Sequence, residues 1–151
     1  MILERKNNMQ TKIKKFSDVT LQEYHQLMKA RVAVFVVEQA CPYQEVDDID
    51  LEAIHFWLEN DKNEIIAYAR IYHDEQAVHF GRVLVKKEER GKGFGRQLIQ
   101  LVMEWINQEF PEETLHIEAE TYLQDFYASF DFQAISDEYL LDGISHIAME
   151  K

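Results

Sequence analysis

Eleven residues, Lys86 to Arg96, hold five basic and two acidic side chains with Gly91, Gly93 and Gly95, a net charge of +3 in a chain of formal charge −12. The field of the chain as a whole does not explain that patch; a polyanionic ligand does. A strand running into this stretch, a tight turn and a helix opening at Phe94 leave backbone N–H groups unpaired at the positive end of the helix dipole, which is a phosphate site. Glycine permits the dihedrals of such a turn and removes side chains that would block a pyrophosphate. No Gly-Lys-Ser/Thr closes the motif, so it is not a P-loop. Arg96 stands where the dinucleotide fingerprint has its last glycine, so that reading fails too.

A second stretch has the opposite sign. From Glu38 to Glu52 there are six carboxylates and no lysine or arginine, a charge of −6. Such a run draws a cationic amine, with Glu38, Glu45 and Asp47 as candidate ligands, or is only a solvated loop. Its spacing lacks the glycine and terminal glutamate of an EF-hand, so no metal is expected. Cys41 is the single cysteine. It excludes an intrachain disulfide and a cysteine-paired zinc site, and no neighbouring motif activates it as a thiolate.

Elements must hold these groups in place. The 151 residues suit one domain, here 11–151, after a polar, flexible tail at 1–10 that does not read as a signal peptide. Apolar residues at 46% and charged ones at 29% are globular proportions. The acidic balance argues against a nucleic-acid partner, and no apolar run reaches the roughly 18 residues of a membrane span, so a soluble, cytoplasmic protein is expected, with a homodimer left open. Leu21, Tyr24, Leu27, Met28 and Val32 predict a helix running to Gln39, capped by Ser17 or Thr20. Three strands follow in "AIHFWLEN", "EIIAYARIYHD" and "QAVHFGRVLVKK", with connections short enough for an antiparallel meander. Leu98, Leu101, Val102, Trp105 and Ile106 predict an amphipathic helix; "TLHIEAE", "YLQDFYASF" and the last twenty residues add a strand, a short helix and a strand pair. The order implies an α/β sandwich, helices over a mostly antiparallel sheet.

Arg90-x-x-Gly93-x-Gly95 after a strand resembles the acetyl-CoA motif of the GNAT N-acetyltransferase superfamily. The blocks "RVAVFVVEQACPYQEVDDID", "GRVLV", "FYASFDF" and "DGISHIAM" are similar to the ElaA family within it. The resemblance implies an α+β sandwich with a mixed sheet of about seven strands, splayed between the fourth and fifth. It implies acetyl-CoA as cosubstrate, with Arg90, Gly91, Lys92, Gly93, Phe94, Gly95 and Arg96 at the pyrophosphate and the main chain of Val83, Leu84 and Val85 pairing with pantetheine. Direct transfer to a primary amine of a small molecule or peptide follows from the same resemblance. Freeing an amine of pKa about 10.4 at neutral pH costs about 4.6 kcal/mol, which a base, a water relay or desolvation must supply. His79, eleven residues before Arg90, occupies a position where some GNAT enzymes carry a glutamate base, and Glu118 and Glu120 compete for that role. Tyr127 matches the tyrosine aimed at the CoA sulfur, and His55 and His146 fall in blocks that line the acceptor pocket. Asp131, Glu120, Leu141 and Ser145 depart from the family's usual glycine, glutamine, glutamate and proline, which leaves a second expectation: a catalytically inactive domain that binds acyl-CoA as a sensor or assembly partner.

Overall fold

The computed structural model describes residues 9–151; of the expected tail, Met9 and Gln10 fall within it, and Gln10 already opens the first strand. In chain order the elements are β1 (Gln10–Lys15), α1 (Leu21–Arg31), a π-helical segment (Val32–Glu38), a single turn α2 (Ile49–Glu52), β2 (Ile54–Glu59), β3 (Ile65–His73) and β4 (Val78–Val85). Then come α3 (Phe94–Glu109), β5 (Leu115–Glu120), α4 (Gln124–Ala128), β6 (Gln133–Ala134), β7 (Tyr139–Leu141) and β8 (Ile144–Glu150). The sheet runs β1-β2-β3-β4-β5-β8, with β6 and β7 both on the far edge of β8. Eight strands, one more than expected, arise because the two-residue β6 forms its own ladder. Every pairing is antiparallel except β4 with β5.

Strand alternation divides the side chains between two cores. Phe56, Leu58, Ile66, Ile71, Val78 and Ile117 face α3 and α4, where Leu98, Ile99, Val102 and Ile106 complete the larger core. Leu98, Val102 and Ile106 from the expected stripe are fully buried, and each such side chain is worth about 1.5–3 kcal/mol. Leu101 and Trp105 lie at its margin. The other face carries Trp57, Tyr68 and Leu84 beneath Leu27 and Phe35.

Thr20, not Ser17, caps α1. Its hydroxyl accepts from Glu23 N (3.1 Å) while the Glu23 carboxylate accepts from Thr20 N (3.0 Å), a reciprocal capping box. The helix does not continue to Gln39 in α geometry. Over Val32–Glu38 it widens, with Gln39 N donating to Val34 O and Cys41 N to Val36 O, five residues back. A run of β-branched valines has little α preference to resist this. The chain leaves through Ala40 at φ 49°. At the other end, Asp142 (φ 51°) and Gly143 (φ 78°) make the two-residue turn joining β7 to β8, as an Asp-Gly pair does in a type I′ hairpin. Among the described residues, no helix is long and apolar enough to cross a membrane.

Candidate active site

The sheet opens at one place. β4 and β5 pair only at Val78 with Leu115 and at His79 with His116, and then part. On its other edge β4 faces β3 with Arg70 opposite Gly81 and Tyr68 opposite Leu84, so three steps on β4 match two on β3. That is a bulge, and Arg82 sits in it at φ 50°. The bulge reverses the alternation: Val78 and Phe80 point toward α3 before it, Val83 and Val85 after it. It also takes main-chain groups out of the ladder where β5 has already diverged. The wedge between the strands is a cavity of about 990 Å³.

At one end of the wedge lies the glycine turn. Gly91 (φ 80°) and Gly93 (φ 85°) are left-handed, and a Cβ at either would meet nothing within 4 Å. Dihedral angle therefore selects glycine here, and the space above stays open. Gly93 is the N-cap of α3; the first helical bond runs from Gln97 N to Gly93 O (3.1 Å). The amides of Gly91 to Arg96 have no acceptor among the described residues. The basic side chains are less free than their sequence implies. Arg90 donates through both terminal nitrogens to Glu38 (2.7 Å each) and through Nε to Val85 O (3.0 Å), locking the exit of β4 to the end of the π segment. Lys92 reaches Glu89 at 2.9 Å. Arg96 bonds Ser129 Oγ (3.2 Å) and lies over the rings of Phe126 and Phe130.

Tyr127, from α4, enters the wedge from the larger core. Its ring packs edge-on against Phe126 and Phe132, and it is only 4% exposed. Burial, then the charges of Glu120 and Tyr122, raises its pKa above that of an ordinary phenol. Across the wedge, alternation places Tyr72, His79, His116, Glu118, Glu120 and His146 on the opposite face of the sheet. His79 Nε2 lies 2.7 Å from Asp74 Oδ2, its ring stacked on Tyr72. His146 donates from Nδ1 to Ile144 O (2.7 Å). Glu120 accepts from Gln39 Nε2 (2.8 Å). Glu118 lies beside Tyr139, whose pKa burial and then that carboxylate push up to about 12. Neither glutamate has a lysine or arginine partner among the described residues. The sequence reading passed over Tyr72, Asp74 and His116; strand alternation through His79 and Glu118 was the signal that points to Tyr72 and His116.

The acidic run is not a free anionic surface. Glu45 and Asp50 are buried, and Arg31, at the end of α1, donates to Glu45 Oε1 (2.7 Å) and Asp50 Oδ1 (2.8 Å). Arg70 from β3 donates to Asp47 (2.6 Å) and Asp50 (3.0 Å), and Arg82 in the bulge pairs with Glu45 at 2.9 Å. Tyr43 also donates to Glu45. Burial alone would raise the pKa values of Asp47 and Asp50, but bonds from the arginines outweigh it and hold both below the usual carboxylate range. Three arginines distant in sequence thus neutralise Glu45, Asp47 and Asp50, half of what reads locally as −6. Glu38 and Asp47 remain at the cavity wall, already paired; Glu45 is turned inward.

His55 does not belong to the site. It sits on β2, two strands from β4, beside Phe16 and beneath Asp50, 2% exposed and away from the cavity. Its Nε2–H donates to Asp50 O (2.9 Å), so Nδ1 accepts from the Tyr68 hydroxyl (2.6 Å). Burial lowers its pKa, which keeps it neutral. Ser145, in place of the expected proline, hydrogen-bonds Thr121 (2.8 Å), and Asp131 keeps the left-handed turn that a glycine would make (φ 70°).

Residues 16–151 match the family model of the acetyltransferase (GNAT) domain. A UPF0039 protein of Schizosaccharomyces pombe is 39% identical over 145 residues, covering 95% of this chain and 97% of its own length. Protein ElaA of Escherichia coli is 38% identical over 139 residues, covering 89% and 91%. The crystal structure of an acyl-CoA N-acyltransferase from Pseudomonas aeruginosa is similar with a TM-score of 0.90 and 34% identity, over 95% of this chain and 99% of that one.

Proposed function

The chain belongs to the GNAT acetyltransferase family, in its ElaA group, and from that membership we propose that it transfers the acetyl group of acetyl-CoA directly to a primary amine of a small molecule or peptide. The observation that carries this reading is the conjunction of the β4–β5 wedge with the unpartnered amides at the start of α3. A pyrophosphate fits those amides, and a pantetheine arm fits the unpaired edge of β4 at Val83, Leu84 and Val85. Acetyl-CoA, when bound, supplies an activated acyl group on a thiolate leaving group. An N–H of the bulged strand receives the charge that develops on the carbonyl oxygen. Glu118 and Glu120 draw the ammonium form of the acceptor toward the wedge.

His79 takes a proton from the ammonium group, which frees the lone pair that bonds to the acyl carbon, and the second N–H proton, lost as the amide forms, restores the one that Tyr127 gives up. Tyr127 donates its proton toward the sulfur as the carbon–sulfur bond breaks. Its raised pKa makes the phenol a donor that stays protonated at neutral pH. Glu38 and Asp47 shape the acceptor wall through the arginines they hold. The test is to incubate the protein with acetyl-CoA and a panel of primary amines while following free thiol. Thiol release that requires an amine, with an acetylated product by mass spectrometry, is expected. Binding of CoA with no turnover on any amine contradicts the enzyme and favours the acyl-CoA sensor.

A further inference from the structure

We propose that Asp74 is a positioning residue for this reaction: its carboxylate fixes His79 in the tautomer that leaves Nδ1 bare at the cleft. The proposal rests on the reading of His79 as the base.

Asp74 follows the last residue of β3 in the β3–β4 hairpin. Its Oδ1 accepts from the backbone N–H groups of Gln76 and Ala77, both at 2.9 Å, and its main-chain N–H donates to Ala77 O. These bonds stop the carboxylate from rotating although half of it is in solvent. The other oxygen, Oδ2, is thereby aimed at His79 Nε2, 2.7 Å away. An ionised carboxylate only accepts, so Nε2 carries the proton and the neutral ring keeps its lone pair on Nδ1. Nδ1 has no hydrogen-bond partner among the described residues. The ring cannot turn away: Tyr72 lies parallel to it at 4.8 Å and 10°, and His116 meets it edge-on at 5.2 Å. His116 is itself held by Glu150, 3.0 Å from its Nδ1. The groups that face His79 are thus Asp74 from the hairpin, Tyr72 from β3 and His116 from β5, with Glu118 further along β5. His79 also forms, with His116, the last β4–β5 pair before the strands part, which is where an amine approaching the wedge arrives.

A merely structural Asp74 would hold the hairpin and leave the imidazole proton where it pleases. Asp74→Asn separates the two roles, because an amide oxygen can still accept from Gln76 and Ala77 while its NH₂ group faces Nε2 and must donate. The proton then moves to Nδ1. The measurement is ¹⁵N NMR of the imidazole nitrogens in the full chain, with the His79 signals identified by their loss in His79→Gln. Expected are a protonated Nε2 and bare Nδ1 in the parent protein, reversed in Asp74→Asn at an unchanged thermal midpoint. With the best amine of the panel, kcat falls about tenfold or more at constant KM for acetyl-CoA. A protonated Nδ1 in the parent, or an unaltered tautomer in Asp74→Asn, overturns the proposal. So does a full kcat in Asp74→Asn alongside an impaired His79→Gln. Full activity in His79→Gln instead removes His79 as the base, and the positioning role with it.

Discussion

The hydroxyl of Tyr127 has no partner among the described residues, and burial holds its proton well past neutral pH. Tyr127→Phe keeps the ring packing against Phe126 and Phe132, so kcat should fall about 10- to 100-fold while calorimetry finds acetyl-CoA affinity unchanged; an undiminished kcat excludes Tyr127 as the proton donor. Arg31 is the matching residue on the structural side. It is fully buried, and Arg31→Met would leave Glu45 with only Arg82 and Asp50 with only Arg70, so urea unfolding should show a loss of about 3–5 kcal/mol. A loss below about 1 kcal/mol would mean that Arg70 and Arg82 neutralise both acids by themselves. Features whose meaning is local were readable in the sequence: the glycines of the turn announce the left-handed dihedrals found at Gly91 and Gly93. The acids at 45–50 were misread because their partners stand at 31, 70 and 82, and only folding brings them together. His55 failed for the same reason, since its strand gives no hint of which sheet face the loop will cover.

At the level of elements, the strands and α3 follow from alternation and from a helical stripe, and they were legible. The bulge at Arg82 and the π segment were not. Neither has a local pattern: the bulge is a mismatch between two strands, and the weak α preference of the valines permits the π turns, which pack Phe35 against the sheet, without specifying them. These two irregularities do most to shape the wedge, one by reversing β4 and the other by carrying Glu38 to Arg90 and Gln39 to Glu120. The start of α3 is the element where the proposed ligand would meet the geometry of the turn. Gly93→Ala places a Cβ in open space at φ 85°, so its cost is dihedral, about 1–2 kcal/mol. Thermal unfolding should register that cost, and acetyl-CoA binding should weaken as the amides turn. Wild-type affinity in a destabilised Gly93→Ala would separate the turn from the ligand.

Across the whole molecule, titration links the buried groups to stability. His55 has a folded pKa below its unfolded value near 6.5, so the unfolded chain binds the proton first and His55's contribution, complete above about 6.5, is lost as pH falls. The lowered carboxylates Asp47 and Asp50 add a further loss as pH drops below about 4. Urea midpoints should therefore fall from pH 7 to pH 5, and His55→Gln should flatten that slope while lowering the plateau; an equal slope in both proteins would contradict the assignment. The wedge and cradle stand on this buried frame, and the proposed transfer requires them to grip a thioester carrier by its pyrophosphate. Isothermal titration calorimetry sets acetyl-CoA beside S-acetylpantetheine, which keeps the thioester arm and lacks the pyrophosphate. Saturable heat with acetyl-CoA and a far weaker response to the arm alone is the predicted result; no heat with acetyl-CoA, or equal affinity for the two, would contradict it.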